Sequence, residues 1–241
     1  MNFLLFYKDE LSCNNTKGVI TGSRLSFLKE RYTIKEGQEI SVGLIDGKLG
    51  KAKVIKMTNN EILFDVNLDK ESPQKLDLTL IISICRPQTN KKILHIATSL
   101  GVKKIIFLRC DNIPKSYIQS TSLSEKNIKN ECLLAMSQVG DTFFPEIKIY
   151  KSIFDCFNEE GENLINNNLN VIADTNCNYE LNRDNFSNIS NIKCIAIGPE
   201  SGFSDKEIEY FHQKSFKSIG LGERILRVEV ALGYLIGKIN G

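Results

Sequence analysis

The strongest constraint on the fold is an alternation of buried-strand and amphipathic-helix patterns that begins at Leu76. Residues 76–84 are almost continuously apolar, as expected for a strand that is buried on both faces of a sheet. Residues 88–100 then place apolar side chains on one face of a helix, and Gly101 follows as a stop signal. The alternation continues through predicted strands at 103–108, 145–150, 171–174, 194–197 and 218–222 and a predicted helix at 225–239. Strands that alternate with helices predict an α/β domain with a parallel sheet.

The first part of the chain has a different pattern. Residues 39–57 alternate apolar and polar side chains around Asp46-Gly47, a pair of residues typical of β-hairpin turns. The stretch 68–75 is polar and contains a proline, which is typical of a linker. We therefore expect two domains, a small β-rich domain over 1–70 and an α/β domain over 71–241.

Charge is unevenly distributed along a chain whose formal net charge is only +2. Residues 86–129 carry nine lysines and arginines against two acidic residues, a local charge of +7. Residues 1–56 carry ten against six, a local charge of +4. This distribution is typical of a surface that binds a polyanion such as RNA, and equally of a solvated surface in a lysine-rich chain.

The seven cysteines form no C-x-x-C pair, and their number is odd. This pattern favours a reducing compartment over a disulfide scaffold and gives no support for structural zinc. The N-terminus lacks the pattern of a secretory signal peptide, and no apolar run approaches membrane-spanning length. We expect a soluble cytoplasmic protein that needs no metal and contacts no membrane.

Three predicted strands end in turns that suggest a binding site, at 172–175, 197–203 and 219–227. Parallel α/β sheets bind ligands at the carboxyl ends of their strands, so the three turns are expected to meet at one edge. The chain contains neither G-x-G-x-x-G nor G-x-x-x-x-G-K-[ST], which argues against a Rossmann dinucleotide site and a P-loop. Each turn alone is compatible with an ordinary strand exit, but three together favour a site.

Two of these turns carry motifs that resemble a known family. The stretch "IGPESGFSDKEI" (197–208) resembles a GPEGGF-x-x-x-E signature, and "LGERILRVEVA" (221–231) resembles an LG-x-RILR-x-ETA signature. Both signatures belong to the SPOUT-class 16S rRNA (uracil(1498)-N3)-methyltransferases. Further stretches at 24–54, 96–108, 114–123 and 140–147 resemble segments of the same family in the same order, so the resemblance covers nearly the whole chain.

The resemblance implies a fold, a cofactor and partners. The fold is a PUA-like RNA-binding β-barrel over 1–70, followed by a parallel-sheet α/β SPOUT domain over 71–241 with a C-terminal trefoil knot. The partners are 16S rRNA in the small ribosomal subunit and a second copy of the chain, in a homodimer. The cofactor is S-adenosylmethionine, and the matching positions that bind it are Ala173, Asp174, Ile197, Gly198, Pro199, Glu200, Gly202, Leu221, Gly222, Ile225, Leu226 and Arg227.

The chemistry of uracil methylation suggests roles for charged side chains in the two motifs. The N3–H bond must be broken, and N3 must lie in line with the sulfonium methyl group, so the site has to position two reactants and stabilise a developing anion. We expect Arg227 and Arg224 to supply positive charge, and Glu200 or Glu229 to orient an arginine or assist proton removal. The alternative for Arg227 is a helix-surface pair with Glu223, worth a few tenths of a kcal/mol; the motif match favours a catalytic role.

The basic segments supply candidates for RNA binding. We expect phosphate contacts from Arg24, Arg31, Lys103, Lys104, Arg109 and Lys115.

The chain departs from the family pattern at several positions. Ser201 replaces a glycine of GPEGGF, Val230 replaces a threonine of the second signature, and Ser99 and Ser137 stand where glutamate is usual. These departures keep two other functions open. One is an RNA-binding protein on a SPOUT scaffold with little or no activity, and the other is a SPOUT methyltransferase with a different target, such as a ribose 2′-hydroxyl.

Overall fold

A computed structural model describes residues 3–31, 33–111, 113–165, 169–177 and 191–240. The chain divides into two compact units. The first contains Met1–Gln74 and Cys132–Phe144, and the second contains Lys75–Glu131 and Pro145–Gly241. The first unit thus includes a segment far along the chain from the range 1–70 that composition assigns to the first domain.

The first unit is built on a curled five-stranded mixed sheet, which confirms the predicted β-rich fold as a half-barrel. Its sheet order is β1-β3-β4-β5-β2, with β1 parallel to β3 and the other pairs antiparallel. Phe6 and Phe64 meet edge to face in its core with ring centroids 5.4 Å apart. The elements are β1 (Leu4–Phe6), β2 (Lys17–Thr21), α1 (Gly22–Arg31), β3 (Glu39–Leu44), β4 (Leu49–Met57) and β5 (Glu61–Lys70), with a 3-10 turn at Lys8–Glu10.

The predicted hairpin turn between β3 and β4 is confirmed. Asp46 takes a positive φ of 57°, a conformation that aspartate tolerates better than most residues. The N–H of Gly47 donates to the carbonyl of Leu44 at 2.9 Å. Strand β5 continues to Lys70, so the polar stretch 68–75 is a linker only from Glu71 onward.

The second unit contains a six-stranded sheet, and all its strand pairs are parallel, as the sequence predicts. Its elements are β6 (Leu76–Ser83), α2 (Pro87–Ser99), β7 (Val102–Leu108), α3 (Lys115–Ile118), a 3-10 turn (Thr121–Leu123), α4 (Glu125–Val139, shared with the first unit), β8 (Glu146–Tyr150), α5 (Ile153–Ile165), β9 (Leu169–Ala173), β10 (Ile192–Ile197), α6 (Asp205–Gln213), β11 (Phe216–Ile219) and α7 (Val228–Asn240). Because 178–190 lie outside the described residues, the trefoil knot stays a prediction.

The order of the strands fixes where a ligand can bind. The sheet order is β11-β9-β10-β6-β7-β8. The next two strands along the chain, β7 and β8, lie on one side of β6, and the later strands β9, β10 and β11 lie on the other. The switch in direction falls between β6 and β10, which are paired directly. In open parallel sheets the crevice for a ligand lies at such a switch point, outside the carboxyl ends of the strands.

A buried ion-pair network holds β7, β8 and α5 together. The carboxylate of Glu160, only 4% exposed, accepts hydrogen bonds from Lys104 at 2.6 Å and from Lys148 at 3.0 Å. The hydroxyl of Tyr150 also donates to it, at 2.8 Å. Burial by itself raises the pKa of Glu160, but the three donors outweigh burial and lower that pKa to about 2.

We predict that this network makes the second unit sensitive to acid. Since the pKa of Glu160 is lower in the folded state, its stabilisation is complete above about pH 4.5 and is lost as the pH falls toward about 2. Glu160→Gln should lower the free energy of unfolding by about 2 kcal/mol at pH 7, the order of a hydrogen bond to a charged group. The deficit should shrink in acid.

Urea unfolding at several pH values measures this effect. Glu209→Gln, a change at an exposed position of α6, is the matched control and should cost less than about 0.5 kcal/mol. A Glu160→Gln deficit that does not change between pH 7 and pH 3 would contradict the prediction.

Candidate active site

A cavity of about 300 Å³ lies at the carboxyl ends of β9, β10 and β11. Its wall is formed by the three turns that follow these strands and by the start of α7. All twelve residues predicted to bind cofactor line it, from Ala173 and Asp174 through Ile197–Glu200 and Gly202 to Leu221, Gly222 and Ile225–Arg227. The structure therefore brings these residues together, and their binding role stays a prediction. Thr175, Ser201 and Phe203, which lie within the predicted turns, also line the cavity, as does Asn176, which lies just outside them.

The loop after β10 is folded tightly on itself. The N–H of Gly202 donates to the carbonyl of Pro199 at 2.9 Å, and Gly202 has a φ of 78°, which favours glycine. A Cβ at Gly198 would lie 2.8 Å from the backbone nitrogen of Phe203, so the loop closes only with glycine there. Ser201 is not among the described residues with positive φ, and replacing the family's glycine by serine therefore costs no backbone strain.

The far end of this loop is anchored in two ways. Phe203 packs against Phe211 in the core, with ring centroids 5.1 Å apart. Ser204 and Glu207 form the predicted capping box of α6, which is confirmed. Glu207 also accepts from the N–H of Asp111 at 2.9 Å, so the loop is tied to the exit of β7. The anchors hold the loop in shape before a ligand arrives.

The loop before α7 differs from the sequence prediction. The predicted strand 218–222 ends at Ile219, and the helix predicted from Ile225 begins only at Val228. The carbonyl of Arg227 accepts from the N–H groups of Val230 and Ala231 and so begins the helix. The helix-surface pair between Glu223 and Arg227 is therefore wrong, because both residues lie in the loop that lines the cavity.

A second cavity, of about 730 Å³, adjoins the first. It is lined by Arg86, Pro87, Gln88, Thr89, Lys92, Tyr117, Glu200, Arg227, Val228 and Glu229. Glu200 and Arg227 line both cavities, whereas Arg224 lines only the first. The two cavities thus have one carboxylate and one guanidinium at their junction, where two bound reactants would meet.

The second cavity contains residues that sequence reasoning missed. Arg86 follows β6 and Tyr117 lies in α3, so they come from different crossovers of the sheet. The Nε–H of Arg86 donates to the hydroxyl of Tyr117 at 2.8 Å. The available signals were coarse: Arg86 opens the basic segment 86–129, and Tyr117 lies in the family-like stretch 114–123.

The charges around the second cavity are partly paired. Glu229 accepts from Lys92 at 3.1 Å. A backbone hydrogen bond in the first turn of α7 and this lysine keep the pKa of Glu229 low. The hydroxyl of Tyr117, and then the charge of Glu200, raise the pKa of the Arg86 guanidinium, so Arg86 stays charged.

The nearby thiol of Cys85 does not serve as a nucleophile. Burial, and then the negative charge of Glu200, raise its pKa well above the ordinary range. A thiol with a raised pKa stays protonated at neutral pH and is inert.

The residues predicted to bind RNA have different environments. Lys103 and Lys104 lie at the amino end of β7, whereas both cavities lie at the carboxyl ends of the strands. Their ammonium groups pair with carboxylates, Lys103 with Asp77 at 3.0 Å and Lys104 with Glu160. We therefore leave both out of the proposed RNA surface. Local charge counting cannot make this distinction because it ignores strand direction.

The other four residues predicted to bind RNA differ in their surroundings. Arg24 donates to the carbonyl of Leu5 at 2.7 Å and pairs with Glu10 at 3.0 Å, so its guanidinium has a structural role in the first unit. Arg31 ends α1, and its side chain lies outside the described part of the chain. Arg109 and Lys115 are exposed and follow β7 at the carboxyl side of the sheet. Among the predicted RNA residues whose side chains the structure describes, we keep these last two as candidates for the surface around the cavities.

The described residues contain no candidate metal site and no candidate membrane-spanning helix. No group of three or more histidine, cysteine or acidic side chains is placed to hold a metal ion in the described ranges. Among the helices of the same residues, none has both the length and the apolar character needed to cross a bilayer.

Known proteins resemble this chain in sequence and in fold. A family profile described as "RNA methyltransferase domain" matches residues 71–240. A protein named ribosomal RNA small subunit methyltransferase E from Rickettsia conorii is 30% identical over 218 residues, which is 87% of this chain and 82% of that protein. A protein named ribosomal RNA small subunit methyltransferase E 1 from Borreliella burgdorferi is 25% identical over 235 residues, which is 96% of this chain and 94% of that protein.

A solved structure extends the likeness to the whole fold. The crystal structure of a ribosomal RNA small subunit methyltransferase E from Neisseria gonorrhoeae bound to S-adenosyl methionine superposes with a TM-score of 0.76. The superposition includes 99% of this chain and 97% of the Neisseria chain, and the two sequences are 21% identical. The profile match, over most of the parallel α/β domain, places the chain in the class of RNA methyltransferases. Within that class, the chain belongs to the family of the ribosomal RNA small subunit methyltransferases E.

Proposed function

We propose that this protein transfers a methyl group from S-adenosylmethionine to N3 of a uracil in small-subunit ribosomal RNA, at position 1498 of the 16S molecule. The family of the chain supports the reaction class and the RNA. The observation that carries the proposal is the pair of adjoining cavities with Glu200 and Arg227 at their junction. One cavity would hold the cofactor and the other the target nucleotide.

The first cavity suits S-adenosylmethionine. Its volume of about 300 Å³ is typical of small-molecule sites, and its wall consists of turns whose backbone groups are available to a ligand. Asp174 lines one side of it, and apolar side chains such as Ile197 and Leu226 line others. When bound, the cofactor supplies the activated methyl group, and the residues of the chain position it.

Glu200 and Arg227 have complementary roles in the proposed reaction. The carboxylate of Glu200 accepts the proton from N3, or orients the group that does, as the methyl group arrives. The guanidinium of Arg227 stabilises the negative charge that develops on the uracil carbonyl oxygens. Both roles require the two side chains to face cofactor and base together, which their position at the junction allows.

The RNA surface proposed for this reaction lies at the carboxyl side of the sheet. We predict that Arg109→Gln/Lys115→Gln weakens binding to small-subunit rRNA by about 10-fold and reduces its salt dependence. With fewer phosphate contacts, fewer counterions are released from the RNA on binding. Cofactor affinity should not change. Fluorescence titration of a labelled rRNA fragment at several salt concentrations measures the effect.

The matched control removes two charges at the other end of the sheet. Lys103→Gln/Lys193→Gln changes two exposed lysines that pair with Asp77, and RNA affinity should stay near that of the wild type. Equal losses in the two double variants would show that net charge alone matters and would reject the proposed surface.

We also propose that the protein is a homodimer that acts in the cytoplasm, where ribosomal subunits mature. One face of α7 exposes Val230 and Tyr234, 50% and 40% accessible, beside Gly233 and Gly237. A Cβ at either glycine would meet no atom within 4 Å among the residues that the structure describes. Small residues beside exposed apolar ones allow a second helix to pack closely.

Light scattering of the full chain should give twice the monomer mass of 27.2 kDa. Tyr234→Glu should shift the mass toward the monomer, because it places a charge in the proposed interface. Ile149→Glu, at an exposed apolar residue of β8, is the control and should leave the dimer intact. A wild-type monomer at micromolar concentration would reject this part of the proposal.

Deletion of the gene tests the function as a whole. Mass spectrometry of small-subunit rRNA should show that one 3-methyluridine is lost in the deletion strain and restored by the wild-type gene. A modification pattern that the deletion does not change would reject the proposed function.

A further inference from the structure

We propose that Tyr117 and Arg86 form the receptor for the target nucleotide: the ring of Tyr117 stacks on the flipped-out uracil, and the guanidinium of Arg86 binds its phosphate. This inference rests on the proposed function, since it assigns residues to the RNA side of that reaction. Both side chains line the 730 Å³ cavity next to Glu200 and Arg227. Neither belongs to the motifs from which the cofactor residues were predicted.

An aromatic ring is what a flipped base requires. Enzymes that modify a base remove it from its stack and bind it against aromatic or apolar side chains. Among the described residues that line this cavity, Tyr117 is the one aromatic. It is half-buried, so its position is fixed while part of it stays open to the cavity.

The guanidinium of Arg86 has hydrogen-bond donors available for an anion. Its Nε–H donates to the Tyr117 hydroxyl at 2.8 Å, which leaves the two terminal amino groups of the guanidinium for a ligand. No carboxylate lies within ion-pair distance of Arg86 in the described part of the chain, whereas Lys92 is paired with Glu229. A planar guanidinium with both terminal groups available binds phosphate in a bidentate manner.

The buried side-chain amide of Asn90 fixes the positions of Arg86 and Tyr117 relative to each other. Asn90, fully buried at the start of α2, accepts from the N–H of Cys85 at 2.9 Å and donates to the carbonyl of Cys85 at 3.0 Å. It also donates to the hydroxyl of Ser122 at 3.2 Å. The turn that carries Arg86 is therefore fastened to the segment that follows Tyr117. A receptor fixed in this way loses little entropy when the nucleotide binds.

The test uses purified full-length protein and small ribosomal subunits from a strain that lacks the gene. Tyr117→Ala should raise the KM for subunits by about 10- to 100-fold, the size of one lost base–aromatic stack. Tyr117→Phe keeps the ring and loses the contact to Arg86, so its KM should rise only by about 2- to 10-fold. Tyr117→Leu, apolar but not aromatic, should behave like the alanine variant.

Arg86→Gln should raise the same KM by about 10-fold and lower the slope of log KM against log salt by about 1, as for one lost phosphate contact. Arg86→Lys should recover part of the affinity, because it keeps the charge and loses the planar fork. Affinity for S-adenosylmethionine and melting temperature should stay at wild-type values in all five variants.

Two results would overturn the inference. One is a wild-type KM for subunits in Tyr117→Ala and Arg86→Gln. The other is a parallel fall of cofactor affinity, melting temperature and rate, which would show that the pair only braces the fold. Absence of methyl transfer by the wild-type protein is a different outcome, which rejects the proposed function itself.

Discussion

Arg227→Ala should lower the single-turnover rate of methyl transfer by about 100- to 1000-fold, the effect expected when one preorganised stabilising group is lost. Arg227 lines both cavities, and its guanidinium makes no ion pair with another described side chain. A cation in that position favours the deprotonated uracil and acts mainly in the transition state. Cofactor affinity should therefore change much less than the rate. Arg227→Lys keeps the positive charge but loses the planar guanidinium with its paired N–H donors, and it should recover part of the rate.

The matched control is Arg224→Ala, three residues earlier in the same loop. Arg224 lines only the first cavity, so its loss should affect the rate less than the loss of Arg227. Rapid-quench measurements beside calorimetric titration with S-adenosylmethionine separate rate from affinity. If rate, affinity and melting temperature fall together in Arg227→Ala, then Arg227 braces the loop before α7. Full activity of that variant would reject both roles.

Gly198→Ala should abolish most cofactor binding, with an affinity loss of about 100-fold or more. The added Cβ would lie 2.8 Å from the nitrogen of Phe203 and 3.1 Å from the carbonyl carbon of Gly202. Both are backbone atoms, and Phe203 is anchored in the core, so the loop cannot give way locally. Displacing a positioned loop by about 1 Å is sufficient for an effect of this size.

Gly161→Ala provides the control for the substitution itself. A Cβ at Gly161, in α5, would meet Phe157 at an ordinary contact distance of 3.8 Å. Its cofactor affinity should equal that of the wild type, and alanine at a helical position is expected to be neutral or slightly stabilising. Calorimetry with S-adenosylmethionine and S-adenosylhomocysteine measures both variants. Wild-type affinity in a folded Gly198→Ala protein would show that this loop does not hold the cofactor.

Sequence patterns predicted the sheet of the second unit well because burial leaves a direct signature. A central parallel strand such as β6 is covered on both faces, so its consecutive residues Leu80, Ile81 and Ile82 are all apolar and fully buried. The capping box at Ser204 and Glu207 was equally direct, because its two hydrogen bonds depend on residues three positions apart. Local rules therefore sufficed wherever the contacts are local.

The loop before α7 shows where such rules fail. Ile225 and Leu226 continue the apolar spacing of the helix, and periodicity therefore extended the helix to include them. In the structure Ile225 is 84% exposed and lies in the loop that lines the cavity. An apolar residue that is kept for a ligand or a partner has the same pattern as one that packs in a core.

The second cavity could not be predicted from local patterns. Arg86 and Tyr117 are 31 residues apart, and their contact depends on the pairing of β6 with β7 and on the turns that follow both strands. Likewise, Lys103 and Lys104 were grouped with Arg109 by charge, although β7 places them at opposite ends of the sheet. Only strand direction and strand order separate the residues of the site from other basic residues.

The most direct test of the central claim is methyl transfer by the purified protein to small ribosomal subunits from a strain that lacks the gene. S-adenosylmethionine with an isotopically labelled methyl group marks the product, and mass spectrometry of nucleosides locates the label. We predict one labelled 3-methyluridine per subunit, and loss of the label in Arg227→Ala. Label on a ribose 2′-hydroxyl, or no label on the RNA although the protein binds S-adenosylmethionine, would contradict the proposed uracil chemistry.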